Sequence, residues 1–204
     1  MSNDLRRAAE EHFQRGNSFD ENGYPDRAIT EWQEAIDLDS EHAGAHYNLG
    51  IAYADEGATE FAINELREVM RLDPFDTDAR RELAEIYLEA DRTDEAINQL
   101  RQILNLAPGD GESAHLLAQI YLDREMIDQA AGALEGGAMQ PEDADLWFRL
   151  GKAYERDQRR DDAILAYRRA LIAQPDHRDA EHALRLMHVP VEEPPDPDEI
   201  EEEE

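Results

Sequence analysis

Five aromatic residues recur along this chain at a nearly constant interval. Phe19, Tyr53, Tyr87, Tyr121 and Tyr154 are spaced 34, 34, 34 and 33 residues apart. A regular period of this length is typical of a stacked array, in which each unit buries its apolar face only against its neighbours. The chain is therefore predicted to be a repeat protein, without the single core of a globular domain.

Three other positions keep the same period: one holds a small residue, one holds alanine and one holds proline. The small residues are Gly16, Gly50, Ala84, Ala118 and Gly151, the alanines are Ala28, Ala62, Ala96, Ala130 and Ala163, and the prolines are Pro74, Pro108, Pro141 and Pro175. Within a unit, apolar residues recur every three or four positions, as in Tyr47, Ile51 and Ala54. This spacing indicates two successive amphipathic helices in each unit.

A short turn is predicted between the two helices of each unit. Gly23 and Gly57 stand there in the first two units, where glycine can adopt the left-handed conformation that ends a helix. In the third and fifth units, charged residues are expected in place of that glycine.

The pattern resembles the tetratricopeptide repeat, whose first helix carries Trp, Leu, Gly and Tyr and whose second helix carries Ala, Phe, Ala and Pro. The fifth unit matches all eight places, with tyrosine for phenylalanine, at Trp147, Leu150, Gly151, Tyr154, Ala163, Tyr167, Ala170 and Pro175. The resemblance implies an all-α fold, a right-handed superhelical α-solenoid of about five helix-turn-helix units with a short capping helix.

We expect residues 1–8 to lead into the first helix and residues 9–177 to form the five units, at about 9–42, 43–76, 77–110, 111–143 and 144–177. Residues 178–188 are predicted to form the capping helix. Residues 189–204 carry nine acidic and no basic residues together with four prolines, a composition typical of a disordered tail. The fourth unit contains Gly132, Gly136 and Gly137, so its second helix is expected to be the weakest. That unit is either a degenerate repeat or a hinge.

Composition excludes several classes of function. The net charge of −30 opposes binding to nucleic acid, whose phosphates attract Lys and Arg. Cysteine is absent, so no disulfide, thiolate nucleophile or cysteine-based zinc site can form. No apolar run is long enough to span a bilayer, and a cytoplasmic protein is expected.

No enzyme is predicted, because the chain has none of the phosphate-binding, metalloprotease or nucleophile-elbow motifs. No cofactor or metal is expected either. His12 and His46 occupy equivalent places in adjacent units, but two imidazoles are fewer than the three or four ligands that zinc needs. Ordinary interface or surface residues are the other interpretation of this pair.

The resemblance implies a concave groove, lined by the first helices, that accepts a peptide or a partner helix. Candidate groove residues are Phe13, Asn17, Tyr47, Asn48, Arg81, His115, Phe148, Arg149, Lys152 and Arg156. For Phe13 and Phe148, packing between units is the alternative role.

Some relatives clamp a C-terminal carboxylate with two asparagines and several basic residues. Asn17 and Asn48 fall at the asparagine places, but Phe13, Asp78 and Glu82 stand where the basic residues would be. A chaperone-type carboxylate clamp is therefore disfavoured.

Charge is uneven along the chain. Residues 144–188 carry eight acids and nine bases, whereas residues 1–143 carry 33 acids and 11 bases. A partner segment is expected to be basic with an apolar anchor, and acidic at one end. The acidic tail is another candidate for the basic fifth unit, or it remains in solvent.

The function predicted from these observations is a non-enzymatic adaptor or scaffold that binds a peptide or helical segment and helps assemble a complex. The alternative is an acidic holdase or assembly chaperone that shields a basic partner, and self-association also stays open. A partner held by an apolar anchor should resist salt, whereas electrostatic shielding should not.

Overall fold

The computed structural model describes residues 3–140 and 142–190. Helices in these residues, in chain order, are α1 (Asn3–Glu21), α2 (Pro25–Leu38), α3 (Ala43–Asp55), α4 (Thr59–Leu72), α5 (Thr77–Glu89), α6 (Thr93–Leu106), α7 (Gly111–Asp123), α8 (Ile127–Gly136), α9 (Asp143–Arg156), α10 (Arg160–Ala173) and α11 (Arg178–Leu186). The prediction of an all-α helical repeat is confirmed. The acidic tail predicted for residues 189–204 lies outside the described residues from 191 onward.

The chain divides into two compact parts, which are called unit 1 (residues 1–106) and unit 2 (residues 107–204) to distinguish them from the five repeats. In unit 1, α1 packs on α2, α3 on α4 and α5 on α6, and α2 and α4 pack on the first helix of the following pair. In unit 2, α7 packs on α8 and α9 on α10, α8 and α7 contact α9, and α11 packs on α10. Each helix therefore buries its apolar face against neighbours that are close in sequence.

The repeating small residues lie where the two helices of a pair meet. The second helix places a large side chain against them, sixteen positions later in the chain: Trp32 against Gly16, Leu66 against Gly50 and Tyr167 against Gly151. A β-carbon on Gly16 or Gly151 would lie 2.4 Å from the opposing ring. The third and fourth pairs carry Ala84 and Ala118 instead, and there the residue sixteen positions later is a buried leucine.

The repeating aromatic residues end the first helix of each pair in the same way. The backbone N–H five residues after each aromatic donates to the aromatic residue's own carbonyl oxygen, at 2.7–2.9 Å in the five turns. This bond needs a left-handed residue just before the donor. Gly23 and Gly57 adopt that conformation with φ of 75° and 72°, as predicted.

In the other three turns, residues with a side chain take the left-handed place. Asp91, Glu125 and Gln158 have φ between 57° and 60°. The expectation of a charged residue in the fifth unit is wrong, because Gln158 is neutral. The helix-ending bond is retained, so the backbone hydrogen bond holds this conformation even where glycine is absent.

Helix α8 is ten residues long, whereas α2, α4, α6 and α10 each have fourteen. It contains Gly132 and ends at Gly136, and neither glycine has a neighbouring atom that an added β-carbon would meet. The buried residues of α8 are Ala130, Ala133 and Leu134, so only one buried side chain on this helix is larger than alanine.

Candidate functional site

Two adjoining cavities open on the surface of unit 1 beside α3 and α5. One has a volume of about 560 Å³ and the other about 370 Å³, and both are lined by Ile51, Asp55 and Glu82. The larger is also lined by Asp20, Pro25, Trp32, Tyr47, Asn48, Ala52 and Glu56, and the smaller by Ala54, Glu85, Ile86 and Glu89. Apolar side chains thus form part of each cavity, and carboxylates stand around them.

Tyr47 joins α3 to α5 at this surface. Its hydroxyl donates to Glu82 Oε1 at 3.2 Å. Burial, with the negative charge of Glu82, raises the pKa of Tyr47 to about 12. The phenol therefore stays protonated at neutral pH and can keep donating this hydrogen bond.

Asn17 and Asn48 contact each other in the structure. Asn17 Oδ1 accepts hydrogen bonds from Asn48 Nδ2 at 2.8 Å and from Trp32 Nε1 at 2.9 Å. The two asparagines therefore link α1, α2 and α3. Asn17 has a structural role at the contact between these three helices.

Phe13 and Phe148 pack against neighbouring elements. The ring of Phe13 lies 4.7 Å from that of His42, and a β-carbon on Gly44 would meet it at 3.0 Å. Phe148 has its centroid 5.6 Å from Tyr167 and 5.3 Å from His177. Both rings are only partly buried, so their part in ligand contact stays a prediction.

The equivalent histidines do not form a pair with each other. His12 Nδ1 lies 2.8 Å from Glu31 Oε2, and His46 Nδ1 lies 2.6 Å from Glu65 Oε2. Each histidine thus bonds an acid nineteen positions later, on the second helix of its own pair. Among the described residues, no group of three or more His, Asp or Glu could hold a metal ion.

Arg81 and His115 each bond an acidic side chain. Arg81 Nη1 lies 3.1 Å from Asp78 Oδ1. In unit 2, His115 Nδ1 lies 2.7 Å from Oδ1 of the buried Asp143, beside a cavity of about 330 Å³. The sequence patterns contained no signal for the His115–Asp143 pair, which joins α7 to α9.

The three basic residues of the fifth repeat that are candidates for the groove lie together in unit 2. Arg149, Lys152 and Arg156 line a cavity of about 210 Å³ with Leu122 and Ala153. Each cation has an acidic partner: Arg149 bonds Asp123, Lys152 lies 3.2 Å from Glu155, and Arg156 lies 3.5 Å from Glu125. A ligand carboxylate would have to compete with these exposed pairs, which typically contribute only about 0–1 kcal/mol each.

No helix in the described part of the chain is long and apolar enough to cross a membrane.

Three tetratricopeptide-repeat family models match the sequence, at residues 16–57, 53–120 and 144–177. Together they span more than half of the chain. No curated protein matches it.

Solved structures with the same fold are similar to this chain at low sequence identity. YrrB, described as a TPR protein with an unusual peptide-binding site, is 23% identical with a TM-score of 0.63, over 89% of this chain and 97% of YrrB. MamA protein is 21% identical with a TM-score of 0.67, over 91% of this chain and 98% of that one.

The first TPR domain of Spaghetti (RPAP3), bound to the HSP90 peptide SRMEEVD, is 20% identical with a TM-score of 0.54, over 58% of this chain and 94% of that one. The helix pairs of the structure agree with the three family models, and so do the repeating glycine and aromatic residues where the helices of a pair meet. The chain belongs to the tetratricopeptide-repeat family.

Proposed function

We propose that this protein is a non-enzymatic adaptor whose unit 1 surface binds a peptide or helical segment of another protein, and so helps assemble a complex. The observation that carries the proposal is the pair of adjoining cavities that share Ile51, Asp55 and Glu82. A surface with apolar positions between carboxylates suits a segment that alternates apolar and basic side chains.

The chemistry of the smaller cavity favours lysine or arginine in the partner. Asp55, Glu82, Glu85 and Glu89 line it beside Ile51 and Ile86. Lysine and arginine bury an aliphatic stem on apolar surface while their charged heads remain at its edge. Such a side chain would pack on the partly exposed Ile51 and place its cation among the carboxylates.

The known folds with this architecture support a protein partner of some kind. YrrB is described as having a peptide-binding site, and the RPAP3 domain is bound to the acidic peptide SRMEEVD. An acidic peptide does not suit unit 1 of the present chain, because Asp78 and Glu82 stand where the carboxylate clamp needs basic residues. We therefore assign unit 1 a basic segment with an apolar anchor.

The remaining candidate residues take supporting roles in this proposal. Tyr47 and Asn48 line the larger cavity and would contact the segment directly. Arg149, Lys152 and Arg156 line the cavity of unit 2 and would accept an acidic end of the partner by exchanging their exposed ion pairs.

The proposal is tested by affinity capture from a cell lysate, followed by mass spectrometry, at low and at moderate salt. The test variant is Asp55→Asn with Glu89→Gln, which removes two carboxylates from the cavities. Its matched control is Asp26→Asn with Asp37→Asn, which changes the net charge equally on exposed positions of α2.

A partner that the wild type and the control retain at moderate salt, and that the test variant loses, supports the adaptor. Basic proteins that bind all three forms equally and only at low salt would contradict it. They would instead support the acidic holdase, because unspecific charge shielding is strongly screened by salt.

A further inference from the structure

Helix α10 exposes one stripe of residues along its outer face. The stripe contains Asp161, Leu165, Arg168 and Ile172, at helical spacings of four, three and four. Leu165 is 51% exposed and Ile172 is 69% exposed. Two aliphatic side chains one heptad apart therefore face solvent on a helix whose other faces are packed.

The corresponding places on the second helices of unit 1 are polar. Counted from the repeating alanine of each pair, they hold Thr30 and Asp37 on α2, Asn64 and Arg71 on α4, and Asn98 and Asn105 on α6. A solvated outer helix face needs no aliphatic residue there, as these three helices demonstrate. The stripe on α10 is thus a departure that the repeat itself does not require.

A cation lies within the stripe. Arg168 is exposed and has no acidic partner among the described residues. The nearby Arg169 is engaged differently, since its guanidinium lies 5.3 Å from the ring centroid of Trp147. The outer face of α10 therefore offers two aliphatic side chains on either side of a positive charge that has no acidic partner within residues 3–140 and 142–190.

The C-terminal segment leaves the described structure next to α10. Arg160, in the first turn of α10, donates a hydrogen bond to the carbonyl oxygen of Met187. The N–H of Val189 donates to the carbonyl oxygen of Leu184 at 3.0 Å, which closes the end of α11. From Arg160, Leu165 lies about 8 Å and Ile172 about 18 Å along the helix axis, at about 1.5 Å per residue.

The segment that follows is complementary to the stripe. Residues 191–204 contain nine acidic and no basic residues, and Ile200 lies among the acids. At about 3.1 Å per residue, the ten residues from Pro190 to Ile200 can reach roughly 30 Å, which exceeds the distance of about 18 Å along α10 from Arg160 to Ile172. We propose that residues 191–204 dock on the outer face of α10, with Ile200 against Leu165 and Ile172 and neighbouring carboxylates beside Arg168.

Because residues 191–204 belong to the same chain as α10, even so small a contact between them can be occupied. A short flexible linker gives an effective concentration in the millimolar range, so an interaction too weak to hold a free peptide can still be occupied within one chain. Part of the attraction is electrostatic, so occupancy falls as salt rises.

The absence of cysteine allows a direct test. A single Glu203→Cys substitution in the full chain carries a nitroxide spin label, and paramagnetic broadening of backbone amide signals locates the labelled end. We expect loss of signal at Leu165, Arg168 and Ile172. We also expect signal to return in Leu165→Asn with Ile172→Asn, which installs the residues that α6 carries, and in Ile200→Ser, which leaves every charge in place.

Phe61→Asn is the matched control, because Phe61 is 63% exposed in unit 1 and its substitution should leave the broadening unchanged. Circular dichroism establishes that each variant is folded. Broadening that is weak, uniform and equal in all forms overturns the proposal in favour of a solvated tail. Broadening centred on Arg149, Lys152 and Arg156 overturns it in favour of the basic cavity. Broadening of an isotope-labelled chain by a separate spin-labelled chain assigns the face to a second copy instead.

Discussion

Alanine in place of glycine should have opposite effects at two positions in unit 2. Gly132 lies inside α8, and an added β-carbon there would have no atom within 4 Å, whereas a β-carbon on Gly151 would lie 2.4, 2.6 and 2.9 Å from three ring atoms of Tyr167. Alanine is favoured over glycine in a helix interior by about 0.8–1 kcal/mol. Gly132→Ala is therefore expected to raise the free energy of unfolding by about that amount.

Gly151→Ala gains the same helix propensity but must displace a ring that has little freedom to move. Tyr167 is fully buried, and its hydroxyl donates to Glu155. Overpacking a core typically costs about 1–3 kcal/mol, and contacts as short as 2.4 Å favour the upper part of that range, so the net loss should reach about 2 kcal/mol.

Tyr167→Leu supplies the decisive control. Together with Gly151→Ala, it recreates the combination of alanine and leucine found in the third pair, Ala84 with Leu100. In that background Gly151→Ala should be neutral or stabilising, although Tyr167→Leu itself costs stability.

Urea unfolding followed by far-ultraviolet circular dichroism, together with the fluorescence of Trp32 and Trp147, measures the stability of each variant. Each 1 kcal/mol corresponds to about 2–4 °C in Tm for a chain of this size. Equal effects of the two alanine substitutions, or a Gly151→Ala cost that persists in the Tyr167→Leu background, would refute the close-approach explanation of the repeating glycines.

Two further predictions concern His46 and the left-handed turn residues. The pKa of His46 is raised above its ordinary value of 6.5, chiefly by its hydrogen bond to Glu65, with the carbonyl of Ser40 adding to it and burial opposing it. The stability from this pair should be complete below about pH 6.5 and be lost as pH rises through the folded-state pKa. An NMR titration should show the pKa of His46 falling in Glu65→Gln, and an unchanged pKa would contradict the assignment. Gln158→Gly should stabilise the protein by about 1 kcal/mol, because glycine takes positive φ without a steric cost. Thermal unfolding measures this change, and a lower Tm would refute the strain assigned to Gln158.

The sequence predicted the helix pairs well because the signals for them are local. The 34-residue period places Tyr53 at the end of one helix and Ala62 inside the next, and both assignments depend only on chain neighbours and on the adjacent unit. The left-handed Gly23 and Gly57 were predictable for the same reason.

Side-chain partners in the site were less accessible to sequence reasoning. Phe13 and Phe148 have the spacing of groove residues, yet their rings also pack on His42 and on Tyr167 with His177. Spacing does not determine rotamers, so it cannot tell a ring that stacks on its neighbour from one that faces a ligand. The sequence has a large residue sixteen positions after each repeating glycine. The reason for this spacing is visible only in the contact between the two helices of a pair.

The central claim is that unit 1 binds a basic segment with an apolar anchor in the cavities around Ile51 and Asp55. Its most direct test is fluorescence anisotropy with a labelled peptide that alternates leucine and lysine, beside a second peptide with glutamate for each lysine. Only the lysine peptide should bind at moderate salt.

Its affinity should fall by up to about thirtyfold in Asp55→Asn with Glu89→Gln, since each of the two exposed ion pairs contributes up to about 1 kcal/mol and about 1.4 kcal/mol is a factor of ten. Affinity should be unchanged in Asp26→Asn with Asp37→Asn. Equal weakening in both double variants, or preference for the glutamate peptide, would contradict the claim.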